Sequence, residues 1–559
     1  MRRSSLVFGL VVLAAACSHQ PLPRAPAHAR ARPAAVDASR LVAADQDTAD
    51  WMTYGRTYDQ QRFSPLEQID AADVARLSLA WHYDLPATSR RSPTVGHLPA
   101  ASGRLPAAGR AEESTPLVVD GVLYVSGSWG TVFALDARSG KPLWSYDPQV
   151  PRSSGRSACC HAANRGVAAW NGKLYLGTLD GRLVALDAAT GRPAWAVRAT
   201  PAGSGGEVTG VPLVIKGRVL LGEGAGRAGL RGNVSAYDAA TGALDWRFYA
   251  EGGGVCGALA YDPKLDLLYV GTGGVAAASS ILALRPETGQ YVWYRQTTRG
   301  ASAALGCARP LILADLVIDG KPRHAIIQAS RNGVEVVDRV TGKLISARPL
   351  ADHPRRAPAH EGGPLSSSRE PLSFTWEPTS FSPLTRLVYV PVSARVVGQL
   401  DAWDPVAQKQ IWSATAADPS NGGVLSTAGN LVFGGSGGGE LDAFRATDGA
   451  RLWSAEVGTG ILAPPITYEV GGTQFVVVAV GWNGTRGHAG VPRLLAFSLT
   501  GKDALLRPAP PAPPAPPAPP AQAPNAGGTM RAPGAVPSSQ ATRPPPMPDT
   551  PGRTRGPLD

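Results

Sequence analysis

The sequence predicts an all-β fold, an eight-bladed propeller, and three observations carry that prediction. A phrase recurs along the chain: an alanine, usually an acidic residue two places on, a Gly six places on and a Trp ten places on. It reads ALDARSGKPLW ending at Trp144, ALDAATGRPAW at Trp195, AYDAATGALDW at Trp246 and ALRPETGQYVW at Trp293. It returns as AWDPVAQKQIW at Trp412 and AFRATDGARLW at Trp453, and a degenerate copy, VVDRVTGKLIS, puts Ser346 in the Trp place. Second, with an isolated Trp81, the Trp-equivalent positions are 63, 51, 51, 47, 53, 66 and 41 residues apart, a period typical of propeller repeats. Third, the runs between phrases, such as PLVVDGVLYVSG and GNLVFGGSGGGELDAF, are apolar, β-prone and broken by Asp-Gly or Asn-Gly turns.

Each repeat holds about four short strands, too few to bury a core alone but stable when stacked radially. The Gly in each phrase is turn chemistry, and the Trp begins the next strand, where its ring fills the gap between sheets. Eight Trp equivalents give eight blades. Trp81 and the terminal phrase LLAFSL (494–499) imply ring closure by strands from both ends.

Along the chain, residues 1–17, MRRSSLVFGLVVLAAAC, show two arginines, an apolar stretch and small residues before Cys17, a lipoprotein-type signal peptide with Cys17 as lipidation site. Residues 18–48, rich in Pro, Ala, Arg and His, read as a flexible, disordered tether, and 49–505 as the propeller. From 506 to 559 the chain is Pro-, Ala- and Gly-rich, including APPAPPAPP, and reads as a disordered tail with polyproline character that offers a site to a protein partner. Nothing after the signal is apolar enough to span a bilayer. The expected location is the bacterial cell envelope, on the periplasmic side, lipid-anchored to the outer membrane. A net charge of +11 is spread along the chain without a basic block interleaved with aromatics, so nucleic-acid binding is not expected. The absence of CxxC and CxxCH argues against zinc sites and covalent haem, while an oxidising compartment invites disulfides among the other four cysteines.

Several long segments resemble the quinoprotein alcohol dehydrogenases. They are DWMTYGRTYDQQRFSPLEQID (50–70), ESTPLVVDGVLYVS (113–126), the run beginning SACCHAANRGVAAWNGKLYLG at Ser157, LAYDPKLDLLYVGTG from Leu259 and TAGNLVFGG from Thr427. The likeness covers nearly all of 50–500. It implies an eight-bladed propeller that binds pyrroloquinoline quinone (PQQ) with a calcium or lanthanide ion. Position by position, Glu113, Arg165, Thr178, Thr209 and Gly210 match residues that line or hydrogen-bond the quinone. Arg331 matches a basic residue near its reactive carbonyls. The adjacent Cys159 and Cys160 match a pair that forms a disulfide ring against one quinone face. Arginines suit a ligand bearing three carboxylates.

The metal cage does not carry over. Arg227 stands where the resemblance places a Glu ligand, Gly274 where it places an Asn, and Ala304 where it places the catalytic Asp. Gly306 takes the place of the second Asp of the lanthanide enzymes, and Cys256 that of the Trp beneath the quinone. Calcium takes six to eight oxygen ligands, and these side chains supply none, so neither calcium nor a lanthanide is expected. Loss of a general base alone costs about 10²–10⁴ in rate. Cys256 and Cys307 map to the same pocket from neighbouring blades, either as a disulfide or as two separately buried small apolar side chains. Three functions remain open: a binding protein for a quinone or another acidic small molecule; an oxidoreductase with an atypical base at Glu112, Glu207 or Glu223; and an envelope scaffold.

Overall fold

A computed structural model describes residues 33–86, 112–151, 154, 163–200, 208–223, 232–250, 254–255, 258–274, 277–297, 310–330, 333–349, 377–393, 398–416, 418, 421–481 and 491–502. Eight sheets follow one another along the chain, each built on four antiparallel strands, with Phe63–Ser64 added to the seventh as a parallel fifth strand. We number them blade 1 (117–146), blade 2 (168–198), blade 3 (213–249), blade 4 (259–296), blade 5 (312–348), blade 6 (380–416), blade 7 (421–456) and blade 8. Blade 8 combines Ile466–Val470, Thr473–Val480 and Arg493–Ser498 with an N-terminal strand, Ser78–Asp84, as its outermost member. Trp81 lies opposite Ala496, so the two ends of the chain share one sheet and the ring closes as the sequence implies.

The repeated phrase sets the register inside each blade. Its first alanine lies opposite its Trp across the outer strand pair: Ala134 with Trp144, Ala185 with Trp195, Ala236 with Trp246, Ala283 with Trp293, Ala402 with Trp412 and Ala443 with Trp453. The small alanine leaves room, and the indole turns toward the following blade. Trp144 Nε1 donates to the Ala188 carbonyl, Trp246 to Pro286, Trp293 to Arg339 and Trp412 to Ala446. Tyrosines of the second strands reach the same carbonyls, Tyr124 to Ala188, Tyr269 to Arg339 and Tyr389 to Ala446. These seams thus combine ring burial with directed hydrogen bonds.

The seam between blades 5 and 6 differs. Ser346 offers no ring, and the glycine place in the following phrase is Gln408. Trp403 of blade 6, at 3 % exposure, instead joins the apolar cluster of Ile327, Val336 and Phe381, with Ile345 packed against it.

One boundary needs correction. The stretch 18–48 does not behave as a tether throughout, because 33–48 is packed against the ring. Asp37 caps a short helix, Ala38–Val42, by accepting from Arg40 N, and Ala34, Val36, Leu41 and Ala44 are buried. Between residues 34 and 62 the chain hydrogen-bonds to all eight blades. Gly172 N donates to Ala34 O, Trp51 pairs with Val118, and Glu469 N donates to Ala49 O. Tyr58 Oη donates to Val214 O, and its own carbonyl accepts from Tyr261 N. Leu313 N, Phe381 N and Ser426 N donate to the carbonyls of Asp59, Gln61 and Arg62. Residues 18–32 and the tail 506–559 lie outside the described residues. Among the described residues no helix is long and apolar enough to cross a membrane.

Candidate functional site

In a four-stranded antiparallel blade, the turns after the first and third strands lie at one end. The link from second to third strand and the link to the next blade lie at the other. The described residues singled out for chemistry belong to the second group. Glu113 precedes blade 1; Arg165 precedes blade 2; Thr178 follows the strand Lys173–Gly177; Thr209 and Gly210 precede blade 3; and Gly274 ends the second strand of blade 4. The topology therefore brings these described residues to the same end of their blades.

Among the described members, three converge. Arg165 and Glu113, both almost fully buried, form an ion pair with Arg165 Nη2 at 3.1 Å from Glu113 Oε2. Arg165 Nη1 donates to Thr209 Oγ1 at 3.2 Å. The backbone fixes this fork: Arg165 N donates to Thr209 O, and Arg165 O accepts from Thr115 N. Gly166 follows at φ +144°, where a β-carbon would come within 3.1 Å of the Thr115 carbonyl. Burial pushes the Glu113 carboxyl above the usual range; Arg165 opposes that shift and Glu377 adds to it. Thr178 joins through its backbone, accepting from Val208 N, while its hydroxyl donates to Asp180 within its own turn. Gly210 is buried beside Thr209.

Beneath this fork the structure places two residues that sequence reasoning missed. Tyr54, partly buried on the N-terminal segment, lies close enough to Thr115, Arg62, Arg165 and Glu113 to interact with each. Burial raises its phenol, and the two guanidinium groups oppose the rise. Arg62 is 1 % exposed, with its guanidinium carbon 5.3 Å from the Trp51 ring centroid and 5.5 Å from that of Tyr54. It donates to the carbonyls of Tyr54, Val424 and Pro465. The QQRF stretch containing it was part of the resemblance, yet a lone arginine there carries no burial signal.

Two of the acids considered as substitute bases, Glu112 and Glu223, have partners of their own. Glu112 Oε1 accepts from Ser128 N and Oγ. Glu223, whose carboxyl burial raises, accepts from Asn233 Nδ2 at 2.9 Å and faces Arg247 at 3.5 Å. Glu207, Arg227, Ala304, Gly306 and Arg331 lie outside the described residues; Gly274 ends the strand Leu267–Gly274, where it pairs with Ala277. Cys17, Cys159, Cys160, Cys256 and Cys307 also lie outside them. The described residues therefore hold no cysteine and no disulfide, and the pairings Cys159–Cys160 and Cys256–Cys307 are withdrawn. Among the described residues no group of three or more His, Cys, Asp or Glu side chains is placed to hold a metal ion.

Comparison with known proteins agrees with this fold. The PQQ family described as glucose/ethanol/alcohol dehydrogenase, β-propeller domain, matches residues 51–354 and 392–476. Quinohemoprotein alcohol dehydrogenase ADH IIB of Pseudomonas putida is 40% identical, over 85% of this chain and 81% of its own. The structure of quinohemoprotein alcohol dehydrogenase ADHIIG from Pseudomonas putida HK5 superposes with a TM-score of 0.75 at 35% identity, covering 86% of this chain and 84% of that one. A europium-containing methanol dehydrogenase gives 0.70 at 26% identity, covering 82% of this chain and all of its own.

Proposed function

The chain belongs to the PQQ glucose/ethanol/alcohol dehydrogenase propeller family, and on that premise we propose that it is an envelope protein that binds PQQ or another small polycarboxylate and does not carry out metal-assisted alcohol oxidation. One observation carries the reading: the buried fork of Arg165 between Glu113 and Thr209 survives, while the positions that would cage a metal carry Arg227, Gly274 and Ala304. A guanidinium with parallel donors suits a carboxylate, so Arg165 and Thr209 fit an acidic ring system, and Thr178 and Gly210 flank it. PQQ, when bound, would supply two-electron redox chemistry.

The donor set does not fit calcium or a lanthanide. Hard cations need several oxygen ligands, and hydrogen, methyl and guanidinium side chains supply none. Ala304 stands in place of a carboxylate, and among the described residues Glu112 and Glu223 are each held by partners of their own. The sequence also carries no CxxCH for a haem electron acceptor. Its opening MRRSSLVFGLVVLAAAC supports export and a lipid anchor at Cys17.

The test is to purify the mature chain, add PQQ with and without Ca²⁺, and record both the quinone spectrum and dye-linked alcohol oxidation. Binding without turnover is expected. Calcium-dependent turnover would overturn the reading, and a quinone spectrum unchanged by the protein would remove PQQ as ligand.

A further inference from the structure

A second site lies between blades 6 and 7, away from the Arg165 fork. In every blade, the residue before the phrase alanine faces a fixed partner on the second strand. That partner is Val or Leu from Val125 in blade 1 to Val478 in blade 8, with Gln328 in blade 5. In blade 7 alone it is Gly434, opposite Asp442. Directly opposed residues share one face of a sheet, so Val424, Gly434, Asp442 and Ser454 form one row. The row Pro391, Leu400 and Ala414 of blade 6 faces it across the seam. With no side chain at Gly434, a small slot opens between the blades, lined by Pro391, Leu400, Ala414, Val424, Asp442 and Phe444.

Gly434 is not required by the backbone. A β-carbon there would meet only Val424 Cγ1, at 3.4 Å, which is ordinary contact. The space is therefore a feature of the side-chain choice. Asp442 lines it at 6 % exposure; its carboxyl takes a hydrogen bond from Ser454, while its Oδ1 makes none among the described residues. The nearest ionic partner is the exposed Arg451, 3.8 Å away. At the same place in other blades, Ser235 accepts from Arg247 Nε at 2.8 Å and Asp401 accepts from Gln410 Nε2 at 3.3 Å, while Glu335 of blade 5 faces Arg295 at 3.9 Å beside Gln328 rather than a glycine.

We propose that this slot binds a short primary alkylammonium ion, the ammonium on Asp442 and the alkyl chain along Leu400, Ala414 and Val424. A buried carboxylate with an open lone pair calls for a charged donor. A hard metal ion needs several oxygens, whereas the walls are mainly apolar or glycine. The site does not depend on the quinone reading.

The experiment uses the mature chain and titrates n-butylammonium chloride by calorimetry and thermal shift, with n-butanol and KCl at matched concentrations as controls. Saturable binding of butylammonium alone is expected. Asp442→Asn should weaken it at least tenfold, and Gly434→Val, which restores the side chain of the other blades, should abolish it while keeping the melting temperature. Absence of saturable binding in the wild type, equal binding of butanol or K⁺, or full retention in Gly434→Val would overturn the proposal. The last result stands even where Asp442→Asn fails to fold.

Discussion

Gly191 lies against the indole of Trp144 so closely that a β-carbon added to it would sit 2.4 Å from Trp144 Cε3. The same contact recurs between Gly140 and Trp81, Gly242 and Trp195, Gly289 and Trp246, Gly342 and Trp293, and Gly449 and Trp412. Gly191 also has φ +71°. Gly191→Ala should therefore cost about 2–4 kcal/mol, from the left-handed backbone and the overpacked ring together. At the seam where Ser346 replaces the Trp, Gln408 takes the glycine place at φ +53°, and Gln408→Gly should change stability by no more than about 1 kcal/mol. Urea unfolding of the two variants checks the coupling; equal losses would refute it.

The ring was legible because its signal repeats. Each Ala, Gly and Trp stands at a fixed offset, and the antiparallel path then assigns every link to one end or the other. What escaped was non-repeating. Ala34, Val36, Leu41 and Ala44 sit in a stretch of small and basic residues that looks unstructured, yet all are buried and the Ala34 and Val36 carbonyls accept from Gly172 N and Asn171 N of blade 2. No side-chain pattern announces a backbone partner. Gly434 was hidden likewise, since a glycine beside SGGG reads as turn chemistry until strand register places it opposite Asp442. Motif matching selected Glu113, Arg165 and Thr209, which the structure brings into contact, but could not see Tyr54 close to them.

Arg62 ties the N-terminal segment to the last blades, because its three donors meet Tyr54 O, Val424 O and Pro465 O. Lysine cannot span three carbonyls, and its loss of the planar fork leaves buried acceptors unpaired. Arg62→Lys should cost about 2–4 kcal/mol. Limited proteolysis should then cut the 33–70 segment faster than in the wild type. An unchanged cleavage rate would show that the backbone pairing alone holds it.

Asp59 gives a pH dependence with a definite sign. Burial raises its carboxyl from 3.8 to about 7, against the pull of Arg339 and with small contributions from Asp45, Asp262 and Asp315. Between these two values the unfolded chain is ionised at this group while the folded chain keeps its proton. Its stabilising contribution is present below pH 3.8 and falls as pH rises through 7. The full shift would correspond to about 4 kcal/mol, and residual solvent contact reduces the expected loss to about 2 kcal/mol. Asp59→Asn should match the wild type at pH 4 and exceed it at pH 8 in urea unfolding. A constant difference across that range would exclude Asp59 as the source.

Arg165 is held by Glu113 on one side and Thr209 on the other, and both partners bear on how it meets an acid. Arg165→Lys keeps the charge but reaches only one of them, so PQQ affinity should fall roughly 10- to 100-fold, about 1.4–2.8 kcal/mol. Glu113→Gln acts in the opposite direction. It retains an acceptor for the guanidinium while removing the anion that competes with the ligand's carboxylates, so affinity should rise severalfold at pH 7. Fluorescence titration with PQQ reads both variants, and circular dichroism confirms that each remains folded. If Arg165→Lys binds PQQ as the wild type does, the fork is only a structural tie between blades 1 and 2, and the acidic-ligand reading loses its anchor.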